Sequence, residues 1–430
     1  MKAIAESKSY DRNLESKETK AESDLSDWFY SKKRTLLSRF GVGTVDQAML
    51  SALNVKHGFV KLFGLSGKIL IIDQVHAYDS FMLPIIEHLL RWCGYLETSV
   101  VLLSATLPFK MKQRLVGAYL EKDEIQLKNE SYPLLTVAIK SDQSLKEVDS
   151  YKNKKIQTRK TESIQYSFIS HEEDSISEVI AKAFSIIEKG RNILWICNTV
   201  KKEQHLYQEI EKQSKEKQIQ DLEVFLFHSR FTKIDRLTIE KKIETLYGDE
   251  SKAPHRPLKS ILVATQVAEQ SLDIDFDYLI SDIAPIDLIL QRIGRIFWHA
   301  RKNRNPNFKE PEILQLIPDR LEALGDFAGV YDKFTVLKTM YELSIQEEHS
   351  IQLPSMYRSL VDTVYSDSIP NSEVTAQRTT SFQYMFKRIY YRNEKDRNRL
   401  GKRISRIREK RTITASLQQK TRHQKNDISL

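Results

Sequence analysis

The sequence predicts an α/β protein built from two doubly wound parallel-sheet lobes, the first incomplete, followed by a mostly helical C-terminal region. Three observations carry that prediction. Short Ile-, Leu- and Val-rich runs recur at Lys68–Ile72, Ser99–Leu103, Asn192–Cys197, Glu223–Phe227, Ser260–Ala264 and Tyr278–Ser281. Amphipathic helical spacing appears between or before them, at Met82–Trp92, Ser177–Glu188 and Lys201–Lys212. Strand, helix, strand in alternation implies parallel strands with right-handed crossovers. Finally, 430 residues at 40% apolar and 29% charged content are enough for two or three ordinary globular cores.

Taken in order, residues 1–25 form a polar lead with weak patterning, expected to be disordered. Residues 26–119 read as a partial first lobe and 120–174 as a linker region with a few strands. Residues 175–310 read as the second lobe, 311–386 as a helical region and 387–430 as a basic tail. The net charge of +9 is concentrated in that tail, which holds 15 Lys/Arg against 4 Asp/Glu. A basic tail attracts polyanions, nucleic acid above all, although it also fits a solvated tail with no ligand. Two distant cysteines, Cys93 and Cys197, argue for a reducing compartment rather than a disulfide framework. No apolar run approaches the roughly 20 residues that span a bilayer, and the N-terminus has no signal-peptide pattern. The expectation is a cytoplasmic protein with the layout of a motor of two RecA-like lobes.

The strand ends carry the chemistry. In ILIIDQVHAYD, Ile69 to Asp79, a buried strand delivers Asp73 to the edge of a parallel sheet, where ligands bind. A carboxylate there can hold magnesium beside nucleotide phosphates. Gln74 follows, and an amide positions a water but cannot take its proton. LLSATLP places Ser104 and Thr106 after the next strand, and FGVGTVDQAM places Thr44 in a glycine-bearing loop. In the second block NTV, FHSRF and ATQVAEQSLDID lie at strand ends, and QRIGRI sets Arg292 and Arg295 three apart on one helical face. Arginines so placed could reach a nucleotide as fingers. Each motif alone is ordinary α/β loop chemistry; their order and spacing together are not. Tyr390 and Tyr391, between Arg388 and Arg392, offer a base-stacking patch or simple helix packing.

With GVGTVDQAML, IIDQVHAYD, LLSATLP, FHSRF, VATQVAEQSLDIDFD and QRIGRI in view, the chain resembles the CRISPR-associated helicase–nucleases of type I systems, over roughly Trp28 to Tyr365. The resemblance implies a superfamily 2, ATP- and magnesium-dependent DNA helicase in antiviral defence. It is recruited to single-stranded DNA by a crRNA-guided surveillance complex. It further implies that Asp73 is the magnesium-associated aspartate and that Gln74 stands at the catalytic glutamate. Thr44, Ser104, Thr106, Arg230 and Thr265 would face DNA or couple hydrolysis to its movement. Asp273, Gln291, Arg292 and Arg295 would lie at the nucleotide, with Trp298 where a further arginine is usual.

Other expected parts are missing from the sequence. No glycine opens a GK[ST] phosphate loop, Gly67-Lys68-Ile69 being the nearest, and no histidine is followed by aspartate as in the family's HD nuclease. The reading is therefore a truncated, catalytically impaired helicase, complemented by an upstream polypeptide if it is half of a split motor. A non-catalytic module that binds DNA or the surveillance complex is the alternative, and an RNA helicase a more distant one.

Overall fold

The computed structural model describes residues 35–366, with short breaks; the longest fall at 76–81, 128–133, 156–161, 250–255 and 319–329. The lead 1–25, the tail 387–430 and the Tyr390–Tyr391 pair lie outside the described residues. The chain divides into two compact units, one reaching to Glu162 and taking in Gln352–Ser366, the other holding Ser163–Ile351.

In the first unit, helices α1 (Val45–Ala52) and α2 (Gly58–Leu65) precede strand β1 (Ile69–Ile72). Helix α3 (Leu83–Tyr95), with a proline in its first turn, leads to β2 (Ser99–Leu102), and α4 (Phe109–Leu120) follows. Strands β1 and β2 pair in parallel, Ile69 opposite Ser99 and Ile72 opposite Leu102. Side chains alternate across a strand. Leu70, Ile72, Val100 and Leu102 accordingly pack with Ile86, Leu89 and Leu90 of α3 and Leu115 of α4. Ile69, Ile71 and Val101, on the opposite face, are exposed. An antiparallel hairpin of β3 (Leu135–Ile139) and β4 (Ser144–Val148) comes next, then a short pair, β5 (Ser150–Tyr151) and β6 (Lys154–Lys155).

The second unit is wound around one large sheet. It contains β7 (Glu162–His171), α5 (Ser177–Glu188), β8 (Asn192–Ile196), α6 (Val200–Glu216), β9 (Leu222–Phe227), α7 (Lys233–Tyr247), β10 (Lys259–Ala264), β11 (Tyr278–Asp282), α8 (Ile286–Ile293), β12 (Glu312–Pro318), α9 (Lys333–Ser344) and β13 (Ser350–Leu353). Helix α10 (Tyr357–Tyr365) returns to the first unit. The strand order is β13-β7-β12-β11-β8-β10-β9. The pairs β8–β10, β10–β9, β11–β8, β11–β12 and β12–β7 are parallel. Ile193, Trp195, Val263, Leu279 and Ile280 are fully buried, as strands covered on both faces require. Helices start cleanly: Thr199, Thr232 and Asp332 each accept a backbone N–H three residues on, at 3.3, 3.3 and 2.9 Å.

The sheet takes in β7, from the expected linker 120–174, and β12 and β13, from the expected helical region 311–386. Both β7 (ESIQYSFISH) and β12 (EILQLIP) carry polar residues at interior positions, which lowers their hydropathy. Burial of Gln315, in the middle of β12, depends on its neighbours and not on its own chemistry.

Candidate functional site

Each unit places a group of motif residues at the C-terminal ends of its parallel strands. In the first, pairing continues past the strands: Leu103 N donates to Ile72 O at 2.9 Å and Val75 N to Leu103 O at 3.1 Å. This sets Asp73 and Gln74 beside Leu103 and Ser104. Asp73 and Gln74 are exposed, and Gln74 N donates to Asp73 Oδ1 at 2.8 Å. Gln74 has φ +58°, a left-handed conformation that is uncommon for a residue with a side chain. Thr44 is exposed at the start of α1, and its side chain does not cap that helix. His76, Thr106 and Trp298 lie outside the described residues.

In the second unit the centre of the site is Arg292 on α8. Its side chain is completely buried. Nε donates to Glu269 Oε1 at 2.7 Å, Nη1 to Ser281 Oγ at 2.7 Å and Asp282 O at 2.8 Å, and Nη2 to Tyr331 OH at 3.1 Å and Asn198 Oδ1 at 3.3 Å. One guanidinium thus ties together the ends of β8, β10 and β11. Burial opposes its charge, and the Glu269 carboxylate, Tyr331 and Asp282 together outweigh burial, holding its pKa above the ordinary value. Around it, Asn198 N donates to Asp282 Oδ2 at 2.9 Å, and Lys202 pairs with Asp282 Oδ1 at 2.7 Å. Gln266 Nε2 donates to Asn198 O at 2.9 Å and Tyr331 OH at 3.1 Å.

The other predicted residues take distinct places. Arg295 donates to Leu272 O and Glu269 O, both at 2.7 Å, and so clamps the turn that carries QVAEQSLD. Burial lowers its pKa against the pull of Asp273 and Glu269. Gln291 is partly buried on α8, next to Arg292. Asp273 is exposed and lies 2.7 Å from His299 Nε2. Thr265 is buried directly after β10. Arg230 is exposed after β9, with its N–H on His228 Nδ1 at 3.2 Å. The His228 ring stacks on Phe231 at 4.2 Å, and burial lowers its pKa.

The sequence suggested a finger reaching a nucleotide; in this structure the donors of Arg292 are taken up inside its own unit. Sequence reasoning also missed Tyr331, Glu269, Asp282 and Lys202. Glu269 stood inside a strand-end segment already singled out, and Asp282 directly follows the apolar run Tyr278–Ser281. Tyr331 belongs to no motif, and only the fold brings it to Arg292. Glu203, in the first turn of α6, was missed as well. It is fully buried, and burial raises its pKa to about 9 against the smaller opposing effect of a backbone hydrogen bond at Phe227.

Comparison with known proteins agrees with this layout. Residues 189–301 match the family described as CRISPR-associated nuclease/helicase Cas3, C-terminal. An Escherichia coli CRISPR-associated endonuclease/helicase Cas3 is 35% identical over 346 residues, covering 79% of this chain and 37% of the relative. A Streptococcus thermophilus relative is 32% identical over 364 residues, covering 80% of this chain and 36% of its own length. The crystal structure of T. fusca Cas3 with ADP superposes with a TM-score of 0.74 at 31% identity, over 86% of this chain and 43% of that one. The chain belongs to the CRISPR-associated helicase–nuclease family. It spans well under half the length of these family members. A further member is part of a CRISPR RNA-guided surveillance complex in a pre-nicking state, with a TM-score of 0.71 at 32% identity over 87% of this chain and 47% of that one. The family also includes a T. fusca structure with ATP. The two-lobe parallel-sheet α/β class is shared with these structures. Among the described residues no helix is long and apolar enough to cross a membrane.

Proposed function

We propose that the chain serves as the helicase part of a CRISPR-associated interference machine acting on DNA, and that by itself it does not hydrolyse ATP. The observation that carries this is the end of β1, where Asp73 is followed by an amide, Gln74, and not by a carboxylate. Asp73 is an exposed carboxylate suited to a magnesium–water shell. Among the described residues no three His, Cys, Asp or Glu side chains gather as a metal site, and the 430 residues contain no GK[ST] loop. The fit to ATP and magnesium is thus partial, and no catalytic step is assigned to them. Solved relatives hold ATP and ADP, which supports a nucleotide once the missing cradle is supplied. Single-stranded DNA is the substrate proposed for Thr44, Ser104, Arg230 and Thr265, and a surveillance complex is the proposed recruiter. Asp273, Gln291 and Arg295 are the residues proposed to face the nucleotide, and Arg292 is proposed to hold that face in shape.

The test is ATP hydrolysis by the purified chain with and without single-stranded DNA. Turnover at background is expected in both, and clear DNA-stimulated turnover refutes the reading. A second reading, a non-catalytic binding module, is favoured by the self-contained hydrogen-bonding of the second unit. It predicts salt-sensitive DNA binding that is indifferent to nucleotide.

A further inference from the structure

Helix α4 begins directly behind LLSATLP, and its first turn lacks the usual local devices. Pro108 stands at the N-cap and has no side-chain oxygen to offer the orphan N–H groups. No acidic residue follows in the first turn, and Lys110 and Lys112 place positive charge at the positive end of the helix dipole. The acceptor comes from 253 positions away: Phe109 N donates to Asp362 Oδ1 at 2.6 Å. A carboxylate on a backbone N–H is a charge-assisted bond, and here it also offsets the two lysines. By contrast, Thr199, Thr232 and Asp332 cap their helices from the adjoining position. Asp362 is itself held. It lies on α10, whose Leu360, Val361 and Val364 are buried, and Arg358, one turn earlier, sets Nε 3.3 Å from Asp362 Oδ2. The side chains of Asp362 and Arg358 are 28% and 15% exposed, so screening by solvent is weak. The turn between β13 and α10 is tied as well, with Met356 N on Gln352 O at 2.8 Å and Tyr357 N on Pro354 O at 3.1 Å.

We propose that Asp362 is a positioning residue for the turn that carries Ser104. The stretch 104–108 is pinned at both ends. Before it, Leu103 is fixed to β1 through Ile72 O and Val75 N. After it, Phe109 is fixed by the Asp362 carboxylate. Pro108, with its locked φ, takes further play out of the link. Release of the second pin leaves Ser104 attached to the sheet on one side only. The second pin is delivered by chain from the other unit, because α10 follows directly on β13, the edge strand of the seven-stranded sheet. The geometry stands by itself; the consequence for DNA binding rests on the reading of Ser104 as a DNA contact.

The experiment is hydrogen–deuterium exchange on the full 430-residue chain, as wild type, Asp362→Ala and Asp362→Asn. In Asp362→Ala, exchange at the Leu107 and Phe109 amides should speed up about tenfold or more, as loss of a bond to a charged acceptor implies. Leu89 and Leu90 in α3 should keep their wild-type rates. Asp362→Asn keeps a carbonyl oxygen for Phe109 N and should restore most of the protection. Unchanged rates at Leu107 and Phe109 overturn the proposal. So does an equal rise in α3, which would mean that Asp362 only holds the unit together, or a failure of asparagine to rescue. Single-stranded-DNA affinity, measured without nucleotide, tests the consequence. Asp362→Ala should weaken binding and add nothing once Ser104 is alanine, and additive losses would overturn an action through that turn. A wild-type chain that binds no DNA refutes the functional reading of Ser104, and the exchange rates alone then decide the positioning.

Discussion

The same local pattern, an apolar strand followed by polar motif residues, has opposite fates in the two units. In the second, seven strands share one sheet and Ile193, Trp195 and Val263 are sealed from water. In the first, two strands carry an equally apolar sequence, ILII and SVVL, yet half of their side chains meet solvent. Strand sequences report what a finished sheet needs, and the difference between the units measures how much of each sheet is present. At about 25 cal/mol per Å² of apolar surface, the bare face forgoes stabilisation that the second unit has in full. The first unit should therefore unfold more readily.

That comparison can be broken by substitution. The largest effect is expected for Arg292→Ala, which leaves Glu269 buried beside a vacant space. It should destabilise the second unit by about 3–5 kcal/mol in urea titration, and a loss under about 1 kcal/mol would show the hub to be unimportant. Ile193→Ala, in the sealed sheet, should cost about 2–5 kcal/mol by the same measurement. Glu203→Gln comes next and depends on pH. The folded carboxyl titrates near 9 against 4.5 for the free group, so between these values the folded state keeps a proton that the unfolded chain has lost. Stability of the second unit should fall as pH rises through that window and level off above it. The variant should melt at a nearly constant temperature across the window, and an equal slope in both proteins would contradict the burial argument. Ile71→Ala should have the smallest effect, under about 0.5 kcal/mol, because its side chain is already in water. A cost matching that of Ile193→Ala would mean that the face is covered in solution.

Much of this was legible in the sequence. The segment at 177–188 was readable as a helix to the residue, and β8–β11 appear within one residue of the strands read from their apolar runs. Strands β8, β10 and β11 are buried along nearly their whole length, so composition alone marks them. Strands β7 and β12 were not legible, because Gln165, Ser167 and Gln315 interrupt their apolar character and only sheet neighbours make them strands. That Asp73 and Gln74 end a strand was legible. That Arg295 shares a helical face with Arg292 was read from their spacing, but the helix stops at Ile293 and Arg295 lies in the turn beyond it. The inward direction of Arg292 was not legible, since spacing on a helix gives a face but not what covers it. Tyr331 shows the same limit from the other side: its phenol accepts from Arg292 and Gln266 across 39 and 65 positions of sequence.

The inward course of Arg292 has a consequence for how such chains are sorted by their motifs. An arginine whose donors all serve the interior is retained for as long as the protein must fold, whether or not anything is hydrolysed. The letters QRIGR would therefore persist in a chain whether or not it turned over ATP, while an exposed position such as Gln74 carries no such constraint. A census of helicases based on buried motif letters would count retired motors with working ones; the residues that report on duty are those at the solvent-facing ends of the strands.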